Sequence, residues 1–329
     1  MILFLFLYAV ANIQILYASY LLPDLCQRVL NNPGDVLLSN KKHRNNVYNQ
    51  RTKCLVSYIK KIYDIELYNP VFLLGECKKE GCLLDRTLNS EYRKIFQEHF
   101  VKAVLPKVKK SLSLYWLSFA SGGLFQDLCT ACGLLAQYPT LNLSLDLVDL
   151  EFEPLVRFLR VTNQGREFDL DKCSKILESA ITADAPIFEK CVNVGRPKHS
   201  DRSINNVDLR TSMMVQIWDN YLILRQFDLF FKRYFLSAKV SIHLYDTVDS
   251  YIDNIEKQNI LPDIVTAVGI ASCSSEKNID NYQKLCFEIL YNNPKIPNIC
   301  LDTINGVTCL LNATLREEDT LLFNKEFIS

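Results

Sequence analysis

The sequence predicts an α/β protein, a mostly parallel sheet with helices on both faces, preceded by a helical segment. Three observations lead there. From residue 111 onward, apolar strand-like runs alternate with helical stretches. That alternation is how crossover-linked parallel strands are written in sequence. The run 112–120 enters Ser121-Gly122-Gly123 before a helical stretch, and paired glycines let a backbone turn sharply and come close to a ligand. The next strand-like run, 141–150, closes on the acids Asp149 and Glu151.

Taken in order, residues 1–18 carry no charge. They read in three ways: an export signal with Ala18 before a cleavage point, a buried or partner-binding helix, or a membrane anchor. Residues 19–110 read as a helical N-terminal subdomain. Residues 20–30 have helical spacing, 31–35 (Asn31-Asn32-Pro33-Gly34-Asp35) form a turn, and 41–50 form a polar loop. Within 52–63, Leu55, Tyr58, Ile59 and Ile62 repeat at helical spacing. A longer helix covers 90–108, with Ser90 as its cap and Ile95, Phe96, Phe100 and Val104 on its apolar face.

The first strand is expected at 112–120 and the first sheet helix at 124–138. The second strand is expected at 141–150, where Leu141, Leu143, Leu145 and Leu147 share one face. A helix starts at 154. Residues 163–208 read as an insertion with one helical run at 172–183. A strongly apolar helix spans 213–236 and carries Trp218, Phe227, Phe230 and Phe231. Strands follow at 239–245 and 263–269, with helices at 248–257 and 280–290. The runs 298–302 and 307–314 read as closing strands of an antiparallel edge.

Composition narrows the function classes. The chain has 329 residues, 49% apolar and 22% charged, enough for one large or two moderate domains. Lys+Arg and Asp+Glu balance at 37 each, so no global field attracts nucleic acid or anionic lipid. The basic stretch 102–110 reads as a solvated helix edge. Among the 12 cysteines, Cys77 with Cys82 is the first disulfide expectation and Cys300 with Cys309 the second. Cys129, Cys132, Cys173 and Cys286 lie in apolar helical text and read as small core hydrophobes. Cys129-x-x-Cys132 lies inside its helix and has no second ligand pair in sequence, so core packing is preferred over a redox or zinc role. The 4 histidines are far apart in sequence, and no metal site is expected.

In open parallel sheets, ligands bind outside the carboxyl ends of the strands. This rule selects 120–124, 149–151, 245–247 and 268–271. Ala120, Ser121, Gly122 and Gly123 can present backbone N–H groups at the start of a helix. Asp149 or Glu151 can accept from ribose hydroxyls, or Asp149 can cap the helix before Pro154. Asp246 can accept from an adenine amino group, or cap the helix that follows it.

The order of elements, with the text FASGGLF, then LDLVDLE, then PDIVTAVGI, resembles the Rossmann-like S-adenosylmethionine-dependent methyltransferases over residues 111–329. The resemblance implies S-adenosylmethionine at Ala120, Ser121, Gly122, Gly123, Asp149, Glu151 and Asp246, and a methyl acceptor that the sequence does not specify. The family's acid before the glycines is Ser118 here. Val268-Gly269-Ile270 offers no polar group where the family's fourth strand usually delivers one. A second expectation is a non-catalytic Rossmann-like binding or interaction module, secreted or translocated through its N-terminus.

Overall fold

A computed structural model of the chain describes residues 24–48, 62–75, 90–120, 122–162, 168–182, 206–268, 282, 284–290, 293–304, 307–315 and 321–327. The elements are α1 (Pro33–Tyr48), α2 (Ser90–Ser111), β1 (Ser113–Phe119), α3 (Phe125–Gln137), β2 (Asn142–Val148), α4 (Glu153–Val161), α5 (Leu170–Thr182), α6 (Asn206–Tyr234), β3 (Lys239–Tyr245), α7 (Val248–Gln258), β4 (Ile264–Val268), β5 (Asn298–Ile304), β6 (Val307–Leu315) and β7 (Leu321–Phe327). Residues 24–31 and 284–290 are also helical.

The strands form one seven-stranded sheet in the order β3-β2-β1-β4-β5-β6-β7. The first five are mutually parallel, and β6 and β7 each run antiparallel to the strand before them. The chain leaves β1 toward β2 and β3 on one side, then crosses to β4 and β5 on the other. The order therefore reverses between β1 and β4, which makes that the switch point.

Alternation along the strands decides what each face buries. On β2, Leu143, Leu145 and Leu147 are fully buried on one face and pack with Leu114, Trp116, Ile242 and Leu244 beneath α2, α3, α4 and α6. Each such leucine contributes about 1.5–3 kcal/mol on burial. The opposite face gathers Leu117, Phe119, Val148, Tyr245 and Val265 under α7 and the helical segment 284–290. Val29, Val36, Ile62 and Phe72 from the N-terminal third belong to the same cluster as the first face, so the N-terminal helices extend that core.

Several expectations need correction. Residues 41–48 are not a loop but the second half of α1, and the turn at 31–35 reduces to a break at Asn32 before Pro33 starts α1. Proline suits a first helical position because its missing N–H has no partner there anyway. Helix α1 hid in the sequence because the stretch 39–46 is polar throughout, although Val36, Leu37 and Asn40 before or within it are buried. Strand β5 pairs parallel with β4 rather than opening an antiparallel edge, and β7 is an unanticipated strand. Helix α6 begins at Asn206, inside the stretch read as an insertion. Cys300 lies opposite Leu311, and Cys309 lies opposite Asp302. The two cysteines are thus diagonal neighbours, too far apart for a bridge, and Cys300 keeps its thiol. Cys77, Cys82 and residues 1–18 lie outside the described residues.

Cys129 and Cys132 are fully buried thiols in α3, and burial pushes the Cys132 thiol well up. A thiol held protonated is neither nucleophile nor ligand, which agrees with core packing. Among the described residues, no helix is long and apolar enough to cross a membrane.

Candidate functional site

Strand β1 delivers the chain to a strained turn. Ala120 N–H still donates to the Val148 carbonyl (3.0 Å), extending the ladder one residue past the strand. The backbone then passes through left-handed conformations at Ala120 (φ 55°), Gly122 (φ 55°) and Leu124 (φ 63°). Glycine takes that conformation freely, whereas Ala and Leu do so at a cost. Ser121 lies outside the described residues.

No side chain caps α3. The cap comes instead from a distant part of the chain. Phe125 N–H donates to the Gly75 carbonyl, and Gly75 N–H donates to the Gly123 carbonyl, both at 3.0 Å. Gly75 is held in place by the residues before it. Val71, Phe72 and Leu74 are fully buried. Asn40 Nδ2 donates to the Val71 (2.8 Å) and Leu74 (3.1 Å) carbonyls, and Leu73 N–H donates to Gln226 Oε1 (2.8 Å). Behind the turn, Ser118 Oγ donates to Asp127 Oδ1 at 2.5 Å. Both residues are buried. An acid thus stands behind the glycines after all, contributed by the first turn of α3 rather than by β1.

The end of β2 meets this turn directly. Asp149 Oδ2 accepts from Gly122 N–H at 2.6 Å, and Asp149 Oδ1 accepts from Glu151 N–H at 2.8 Å. Asp149 therefore caps the short 3₁₀ turn Leu150–Phe152 while it holds the glycine turn. The Glu151 carbonyl accepts from Asn220 Nδ2 of α6 at 2.6 Å. At the end of β3, Asp246 is buried, and its Oδ1 accepts from Arg160 Nη2 of α4 (2.6 Å) and Ser250 Oγ (3.2 Å). The cap of α7 is Thr247, whose hydroxyl accepts from Ser250 N–H at 3.1 Å. That corrects the alternative that gave Asp246 the capping role.

Of the seven residues singled out in sequence, Gly122 and Asp149 are thus in direct contact. Ala120, Gly123 and Glu151 adjoin them, and Asp246 sits one strand away beside Arg160. The fourth selected turn extends past the described residues at 269. Sequence reasoning missed Gly75, Asp127, Arg160 and Asn220. Asp127 had a signal, an acid just after a glycine turn. The other three reach the site only through tertiary packing.

A polar group lies across the sheet, under α7. Asp146 is buried, with Oδ2 accepting from the Tyr115 hydroxyl (2.6 Å) and Oδ1 facing His243 Nδ1 (2.9 Å). Burial is the main cause that pushes the Tyr115 and Tyr251 hydroxyls up, so both stay protonated donors. The network ties β1, β2 and β3 together.

The edge formed by Asp149, Glu151 and Asp246 is rich in hydrogen-bond acceptors, and Arg160 brings a cation to Asp246. Such a surface suits hydroxyl and amino groups. Comparison with known protein families, with curated proteins and with solved structures finds no match to this chain.

Proposed function

We propose that this protein binds an adenosyl ligand, S-adenosylmethionine first among them, over the carboxyl ends of β1 and β2, and that it is a divergent methyltransferase acting on an unspecified acceptor. The observation that carries the reading is the Gly122–Asp149 hydrogen bond. It sets a glycine turn against a strand-end acid beside the switch point, the arrangement that nucleoside recognition requires in such sheets.

In this reading Asp149 and Glu151 accept from the ribose hydroxyls, and Asp246 accepts from the adenine amino group. When bound, S-adenosylmethionine supplies an activated methyl group. The chain's own part is orientation, because direct displacement depends chiefly on alignment of the two reactants. The bond from Asn220 to the Glu151 carbonyl fixes the backbone there, and the bond from Arg160 keeps the Asp246 carboxylate in place.

One observation favours a second reading, a non-catalytic binding module. The first amide of α3 already has a partner in Gly75. Export through residues 1–18 belongs with that reading, because S-adenosylmethionine is an intracellular cofactor. Titration calorimetry of the full chain with S-adenosylmethionine and S-adenosylhomocysteine separates the two. The first reading expects saturable binding that Gly122→Val and Asp149→Ala each remove. No heat from either compound at millimolar concentration supports the module.

A further inference from the structure

We infer that the strap formed by residues 70–75 makes this crevice selective against phosphate-bearing nucleotides, an inference that rests on the adenosyl reading above. In dinucleotide-binding sheets the pyrophosphate lies at the N-terminus of the first helix, drawn by unpartnered amides and the positive end of the helix dipole. Here two of the amides and the helix end are answered from within the chain. Phe125 N–H, the first amide of α3, donates to the Gly75 carbonyl. Gly122 N–H donates to the carboxylate of Asp149. The acid Asp127 occupies the first turn of α3 and is buried there, so the positive helix end already has a counter-charge.

An approaching phosphate therefore meets the Asp149 carboxylate where it needs donors, and the Phe125 and Gly122 amides are already engaged by Gly75 and Asp149. A ribose meets the opposite situation, since its hydroxyls donate and the site accepts. The strap is also no mobile flap. Val71, Phe72 and Leu74 are fully buried, and Asn40 and Gln226 fix the backbone of this stretch. The selectivity is thus built into the fold, and Gly75 acts as a positioning residue for the turn.

The test compares S-adenosylhomocysteine, NAD⁺, ADP and inorganic pyrophosphate on the full chain, by calorimetry and by thermal shift. The expected result is that S-adenosylhomocysteine binds at least about 100-fold more tightly than NAD⁺ or ADP and that millimolar pyrophosphate does not raise the melting temperature. Asp149→Asn keeps an acceptor for Gly122 but removes the charge, and it should narrow the gap between ADP and S-adenosylhomocysteine. NAD⁺ or ADP binding within tenfold of S-adenosylhomocysteine overturns the selectivity and leaves the adenosyl crevice standing. Failure of every adenosyl compound overturns the crevice, and pyrophosphate then decides the strap by itself. Stabilisation by pyrophosphate refutes the proposed role of Gly75 and Asp149.

Discussion

Two strand-to-helix turns at the same edge of the sheet are built in opposite ways. After β3, Thr247 caps α7 with its own hydroxyl, and Ser250 lies one turn on. The helix cap of that turn comes from within a few residues. After β1, the chain passes three left-handed residues, has no side-chain cap, and is completed by Gly75 and Asp149. The first turn follows local rules of capping. The second exists only because distant segments hold it, and strained backbone maintained in this way is characteristic of ligand sites.

The largest effect should come from Gly122→Val. A β-branched residue at φ 55° is badly placed, so the variant should lose about 1–3 kcal/mol in denaturant unfolding together with any adenosyl binding. Asp149→Ala should follow. It strips acceptors from Gly122 and Glu151 N–H groups, at a cost of about 1–2 kcal/mol. Because the two residues touch, the double variant should lose less than the sum of the single losses. A fully additive result would mean that the turn and the acid are independent.

Thr247→Ala tests the locally built turn. It should cost about 1 kcal/mol and leave adenosyl binding intact. A larger loss than for Asp149→Ala would reverse the comparison. The smallest effects should be a pair of glycine exchanges. Ala120→Gly relieves left-handed strain of about 1–2 kcal/mol but adds about 0.5–1 kcal/mol of chain entropy, for a net gain near 0.5 kcal/mol. Gly133→Ala, inside α3, places its new methyl at ordinary contact distance from Leu30 (3.9 Å) and Gln97 (4.0 Å). It should stabilise by about 0.5–1 kcal/mol. A loss of stability in Ala120→Gly, opposite in sign to the gain at position 133, would show that the turn carries no strain.

The same contrast explains what was legible in the sequence. Strands β1 to β4 and helices α3, α5 and α7 fall within a few residues of their expected bounds, because leucine alternation on β2 and the glycine turn are local signals. Helix α1 was lost because its sequence runs through the polar stretch 39–46 and shows no apolar repeat. Strand β7 was lost because only its pairing with β6 marks it as a strand. At the site, glycines and strand-end acids announce themselves by type and position. Gly75, Asn220 and Arg160 do not, since each arrives from a separate helix or strap whose docking is a property of the whole core.

The most direct test of the ligand crevice is the amide resonance of Gly122 in ¹⁵N-labelled full-length protein titrated with S-adenosylhomocysteine. Bound ligand donating hydrogen bonds to Asp149 must alter the amide that donates to the same carboxylate. The account predicts a saturable shift of Gly122 and its neighbours, with Thr247 and Ser250 changing far less. A saturating titration that leaves Gly122 in place while resonances elsewhere move would put the ligand outside this crevice and contradict the account.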